Sequence, residues 1–129
     1  MNRFLIIAGF SGAITVALGA MGAHALKTRI SPELLQVYEK GVQYQMYHTL
    51  ALLCTALLMQ HNSSRYLKWS GNFFITGIIL FSGSLYFLSI RSLIGLEDIR
   101  WVGAITPFGG LSFIMGWVLL AISFLNKKS

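Results

Sequence analysis

The chain has 129 residues, of which 55% are apolar and only 11% are charged, and its formal net charge is +6. Soluble proteins carry roughly 25% charged residues, so this composition excludes an ordinary soluble domain. The basic residues form no run of the kind that binds nucleic acid, so we expect no nucleic-acid partner.

Long uncharged stretches divide the chain into predicted membrane spans. Roughly 20 apolar residues cross the bilayer as a helix. The charge-free stretches cover residues 4–26, 41–62, 69–90 and 101–126. We predict helices over residues 3–27, 32–60, 69–90 and 106–125. The expected fold class is all-α: one polytopic membrane domain of four transmembrane helices in an antiparallel bundle, with the phospholipid bilayer as its partner.

The first helix carries a strip of small residues along one face. Helical spacing of three or four residues places the members on a single side. They are Gly9, Ala13, Ala17, Ala20 and His24, with Gly12 and Gly19 beside them. Small residues let transmembrane helices approach closely, so we predict that Gly9, Gly12 and Gly19 serve helix packing.

The second helix begins at a recognisable signal, because Ser31 is a preferred N-cap and Pro32 suits the first helical position. Further along, Lys40, Tyr44, Tyr47 and His48 fall on one continuous face. Polar side chains at membrane depth are costly and usually have a reason, so this face is a candidate ligand cluster.

The third and fourth helices add polar and small positions. Ser82 and Tyr86 share a face of the third helix and join the candidate cluster. Thr106 and Pro107 predict the start of the fourth helix, where Gly109 and Gly116 give a second helix-packing face.

The charge distribution gives an expectation for the orientation of the chain in the membrane. Five Lys and Arg residues flank the side of the chain termini and five flank the other side, so the positive-inside rule gives a tie. The acidic residues all lie opposite the termini, so we expect the termini to be cytoplasmic. The acids are Glu33, Glu39, Glu97 and Asp98.

Blocks of sequence in consistent order resemble the YgdD/YwdK-like family of small four-helix bacterial inner-membrane proteins of unknown function. The blocks are LGAMGAHAL at 18–26, YEKGVQYQMYHTLAL at 38–52, LFSGSLY at 80–86, TPFGG at 106–110 and GW at 116–117. The resemblance implies the four-helix architecture and an address in the bacterial inner membrane. It implies no activity, substrate or catalytic residue.

The candidate cluster comprises residues from three predicted helices, and several functions remain open for it. The members are His24, Tyr44, Tyr47, His48, Ser82 and Tyr86. The simplest interpretation is hydrogen bonding between helices, which favours an accessory or interaction protein that packs against copies of itself or a larger membrane complex. We expect no enzymatic activity, no catalytic residue and no resident cofactor.

Two alternatives stay open. His24 and His48 come from consecutive antiparallel helices, and two such histidines are suited to binding haem or orienting a quinone in a redox-associated membrane subunit. A metal site is not expected, because no intramembrane carboxylate or second cysteine completes a ligand set. Passage of ions or small solutes through an oligomer, as a transporter or channel, is the further alternative.

Overall fold

The computed structural model describes residues 3–125, and all regular structure in that range is helical. The elements are α1 (Arg3–Met21), α2 (Pro32–Met59), α3 (Arg65–Gly77), α4 (Gly83–Ile90) and α5 (Thr106–Leu125). A π-helical segment, Gly22–Leu26, extends α1, and a second one, Ile78–Ser82, joins α3 to α4 in one rod. A 3₁₀ turn, Trp101–Ala104, precedes α5. The chain therefore forms the predicted four-helix arrangement. Lys127 and Lys128, counted above for orientation, lie outside the described residues.

The predicted start of α2 is confirmed by its cap. The Ser31 hydroxyl accepts a hydrogen bond from the Leu34 backbone N–H at 3.2 Å, and Pro32 occupies the first turn.

The rod formed by α3 and α4 begins earlier than residue 69, the predicted start. Ser64 accepts from the Tyr66 N–H at 3.2 Å, so the helix begins at Arg65 and includes charged residues that the uncharged stretch left out.

Consecutive helices run antiparallel. Ser11 of α1 contacts Thr49 of α2, whereas Leu18, further along α1, contacts Tyr38, nearer the start of α2. In the same way, Ser70 bonds to the middle of α5, and Ser84, further along the chain, bonds to Thr106 at its start. The bundle is thus held by polar contacts at several levels of the membrane.

Three of the helical rods are long and apolar enough to cross a membrane by length and composition. They are Arg3–Leu26, Arg65–Ile90 and Trp101–Leu125. The remaining helix, α2, is as long as these but more polar, and it packs against α1, α3 and α4. Its buried polar side chains are Gln45, His48, Thr49 and Thr55. These polar side chains therefore lie on the face that α2 packs against the other helices of an all-α, polytopic membrane protein.

The glycines of α5 allow close helix packing. A Cβ atom added at Gly116 would lie 2.6 Å from the Phe74 ring, and one added at Gly109 would overlap the backbone of Phe81. Those two predicted packing positions are therefore direct sites of helix approach. Sequence reasoning missed further glycines that lie as closely against aromatic rings, namely Gly22, Gly41, Gly71 and Gly77.

The glycines of α1 behave differently. A Cβ at Gly12 or Gly19 would make ordinary contacts, 3.8 Å from Thr49 and 3.5 Å from Val42 respectively. A Cβ at Gly9 would meet nothing within 4 Å. Gly9 therefore packs against no helix among the described residues, because this side of α1 faces outward, and its predicted role in helix packing stays a prediction.

Candidate functional site

The candidate cluster divides between the interior and the exterior of the bundle. His48 is only 5% exposed, whereas Tyr47, one residue earlier, is 55% exposed. Tyr44 is half-buried, and Lys40 is exposed at the start of this face. Ser82 is fully buried, and Tyr86 is half-buried against Gly41.

Both ring nitrogens of His48 have partners. Nδ1 lies 2.7 Å from the backbone oxygen of Tyr44, and the indole N–H of Trp117 donates to Nε2 at 3.1 Å. A carbonyl oxygen can only accept and an indole N–H can only donate. These partners therefore define a neutral imidazole that carries its proton on Nδ1.

Aromatic rings surround the His48 imidazole. The Phe113 ring stacks on it with centroids 3.5 Å apart and planes 9° apart, and Trp117 meets it edge-on at 5.9 Å. Tyr44 and Phe74 lie against other sides of the ring at 5.9 and 5.8 Å. We call these five residues the His48 cage. Because the lone pair of Nε2 is already used, the cage does not offer His48 as a metal or haem ligand.

A second group of polar residues links three helices around Gln45. The Gln45 amide N–H₂ donates to the Ser11 hydroxyl at 3.2 Å, and its Oε1 accepts from the Tyr86 hydroxyl at 2.5 Å. Ser11 also shares a 2.7 Å hydrogen bond with Thr49. The Ser82 hydroxyl donates to the backbone oxygen of the nearby α2 residue Gly41 at 2.7 Å. This Gln45 network binds α1, α2 and α4 together.

Sequence reasoning identified part of this arrangement and missed its centre. Gln45 lies off the face chosen for α2, and Trp117 was noted only within a matching block. For Gln45 the available signal was its amide in an otherwise apolar span, since such a group needs partners. The pairing of Trp117 with His48 crosses 69 residues of sequence, and no local pattern indicates it.

The structure does not bring His24 and His48 together. His24 is exposed in the π segment after α1, close to where Gly22 packs on Tyr38. Ten residues of α2 separate Tyr38 from His48, which is about 15 Å along the axis at 1.5 Å per residue. The two histidines therefore do not flank one ligand. Within residues 3–125, no three His, Cys, Asp or Glu side chains are grouped in a way that would hold a metal ion.

A groove between α2 and α5 opens beside the His48 cage. Its volume is about 630 Å³, and Tyr44, Phe81, Phe113 and Trp117 supply its aromatic walls. Along α5 the lining extends from Pro107 to Trp117. A smaller groove of about 320 Å³ lies between α1 and α3, with isoleucine walls and with Ser11 and Gln45 among its lining residues.

This arrangement of apolar spans around a buried, fully paired polar core defines a small polytopic integral membrane protein. A profile of the family described as protein of unknown function (DUF423) matches residues 18–110. The UPF0382 inner membrane protein YgdD of Escherichia coli K12 is 41% identical over 128 residues, covering 98% of this chain and 93% of that protein. The chain belongs to this family, which confirms the resemblance and places it in the cell membrane as a multi-pass protein.

Two further relatives have similar sequence identity to the chain. The UPF0382 membrane protein YwdK of Bacillus subtilis strain 168 is 40% identical over 124 residues, covering 95% of this chain and 96% of its own. A UPF0382 membrane protein of Staphylococcus epidermidis is 41% identical over 126 residues, covering 98% of both chains. No solved structure matches the chain.

Proposed function

We propose that this protein is an accessory membrane protein that packs against another transmembrane helix through the outer face of α1. The single observation that carries the proposal is the exposure of the predicted small-residue strip. Its members, which we call the α1 strip, are Gly9, Ala13, Ala17, Ala20 and His24, all exposed. The partner is a second copy of the chain or a larger membrane complex.

The α1 strip points away from the bundle. The buried face of α1 is formed by Phe4, Ala8, Ser11 and Thr15, and at 100° per residue the strip lies on the opposite side of the helix. Phe10 is exposed beside the strip. In lipid, helices associate by close packing and not by burial of apolar surface, and a small-residue face provides that packing.

The interior of the bundle supports a packing role over catalysis or transport. Among the described residues, the buried side-chain polar atoms have hydrogen-bond partners within the protein, as in the bonds of Gln45 to Ser11 and of His48 to Trp117. Such pairing favours helix association, whereas a solute path needs polar groups that face a cavity. We therefore propose no enzymatic activity and no resident cofactor.

Site-specific photocrosslinking tests this proposal. A photoreactive amino acid at Ala17 should give one discrete adduct in membranes, and its mass distinguishes a second copy from another subunit. Adding Gly9→Leu and Ala13→Leu should reduce that adduct at least fivefold because the strip no longer admits a close helix. Thermal stability of the purified protein should stay unchanged, since a Cβ at Gly9 contacts nothing.

The matched control is Gly83→Leu, another glycine whose added Cβ would meet nothing within 4 Å but which lies on α4. It should leave the Ala17 adduct intact. Absence of any protein adduct at Ala17, or an adduct equally sensitive to Gly83→Leu, would contradict the proposal.

We also propose that the chain termini are cytoplasmic. The support is the placement of the four acidic residues on the side opposite the termini, which leaves the termini side the more positive of the two.

A further inference from the structure

We propose that the groove between α2 and α5 binds one anionic phospholipid, with an acyl chain along the His48 cage and the phosphate on Lys40. Three features of the groove support this occupant: its length, the lysine at its outer end, and an inner end whose polar atoms already have hydrogen-bond partners. The site shares no residue with the α1 strip, so this proposal is independent of the proposed function and is tested separately.

The length of the groove matches one leaflet. Its lining on α5 runs from Pro107 to Trp117, and these ten steps span about 15 Å at 1.5 Å per residue. The hydrocarbon core is about 30 Å thick. The groove begins next to the first residue of α5, and its length is about half the thickness of the hydrocarbon core.

A cation lies at the outer end of the groove. The Lys40 ammonium is 6.0 Å from the centroid of the Tyr44 ring, and Tyr44 is part of the groove wall. Glu39 lines a depression on the α1 side with Gly19, and Glu39 and Lys40 together line another one. Lys40 reaches the groove wall through its contact with the Tyr44 ring, and lysines close to the membrane boundary extend toward phosphate headgroups.

The inner end of the groove offers only hydrocarbon contacts. The polar atoms of His48 and Trp117 are occupied by their own hydrogen bonds, so they present ring faces and edges to an occupant. This suits an acyl chain better than a quinone headgroup, which needs free donors. Phe81, on the opposite wall, belongs to the π segment Ile78–Ser82, and π segments are frequent at functional sites.

Native mass spectrometry of the full chain in mild detergent tests the site. The probes are phosphatidylglycerol and phosphatidylcholine with identical acyl chains. We expect one retained phosphatidylglycerol and at least fivefold less phosphatidylcholine. Lys40→Gln should remove that preference, because one lysine near the surface contributes about 1 kcal/mol, which corresponds to about fivefold.

A second variant fills the groove and leaves the lysine in place. A Cβ at Gly110 would lie 3.9 Å from the Phe81 ring, so Gly110→Phe should enter the groove and lower retention of both lipids. Lys68→Gln is the charge-matched control, since Lys68 lies on α3 outside the groove, and it should retain the preference. If Gly110→Phe prevents folding, the protein will show no cooperative thermal transition. In that case the Lys40→Gln variant alone tests the proposed lipid site.

Equal retention of the two lipids by the unaltered protein would overturn the inference. So would a preference that survives Lys40→Gln, or a quinone recovered in the groove in place of lipid. Gly9→Leu protein should bind phosphatidylglycerol normally, which separates this result from failure of the α1 strip.

Discussion

His48 combines a polar side chain with a buried position in an apolar helix bundle. Each ring nitrogen has one hydrogen-bond partner, and the Phe113 ring stacks on the imidazole. Polar groups away from water are tolerated when their hydrogen bonds are complete. At the scale of a residue, His48 therefore behaves as an aromatic core residue that also ties α2 to α5.

Removing the indole N–H of Trp117 should show how much its hydrogen bond to His48 contributes to stability. Trp117→Phe keeps an aromatic ring but leaves the Nε2 acceptor of His48 unpaired, and interhelical hydrogen bonds in membranes contribute about 1 kcal/mol. We expect a lower free energy of unfolding in detergent. Trp69→Phe, at an exposed ring, is the control and should change little.

A double-mutant cycle with His48→Phe separates the bond from the loss of ring size. If the His48–Trp117 bond matters, the two substitutions together should cost less than the sum of their separate effects. Strict additivity would show that Trp117 acts through packing alone.

At the scale of the element, small residues decide how closely the rods approach. Gly109 lies directly against the backbone of Phe81, and Gly110 beside it only reaches the Phe81 ring at a normal contact distance. Backbone cannot rotate away from an added methyl group as a side chain can. The two adjacent glycines therefore have different roles in the same helix.

The pair Gly109→Ala and Gly110→Ala tests this difference. Both changes favour the helix by up to about 1 kcal/mol. Gly109→Ala forces α5 and the π segment apart, so we expect a loss of at least about 2 kcal/mol in unfolding free energy. Gly110→Ala should be neutral or stabilising. Equal thermal transitions for the two variants would show that α5 does not approach Phe81 so closely.

Particular residues show how far sequence alone could reach. Ser31 and Pro32 predicted the start of α2, because capping is local chemistry. The start of α3 was predicted too late, because an uncharged stretch marks the apolar part of a helix while the helix itself continues through Arg65 and Lys68. The π segment Ile78–Ser82 and the partner of His48 depend on packing between distant helices, which no local pattern records.

At the scale of the whole molecule, polarity is distributed inside out relative to a soluble bundle. The outward faces expose large apolar side chains such as Phe10 and Ile79, while hydroxyl, amide and imidazole groups lie within. A bilayer rewards this arrangement because apolar surface is solvated by lipid and polar groups must find partners in the protein. This distribution of polarity is the same for either orientation of the bundle in the membrane.

Cysteine accessibility should give that orientation. The background is Cys54→Ala, which removes the chain's one cysteine. Ser63→Cys lies in the turn between α2 and α3 on the termini side, and Ser92→Cys lies after α4 on the other side. With cytoplasmic termini, a membrane-impermeant maleimide should label Ser92→Cys in intact cells and Ser63→Cys only after permeabilisation. The opposite pattern would show that the acidic residues, all on the Ser92 side, do not report orientation in this protein.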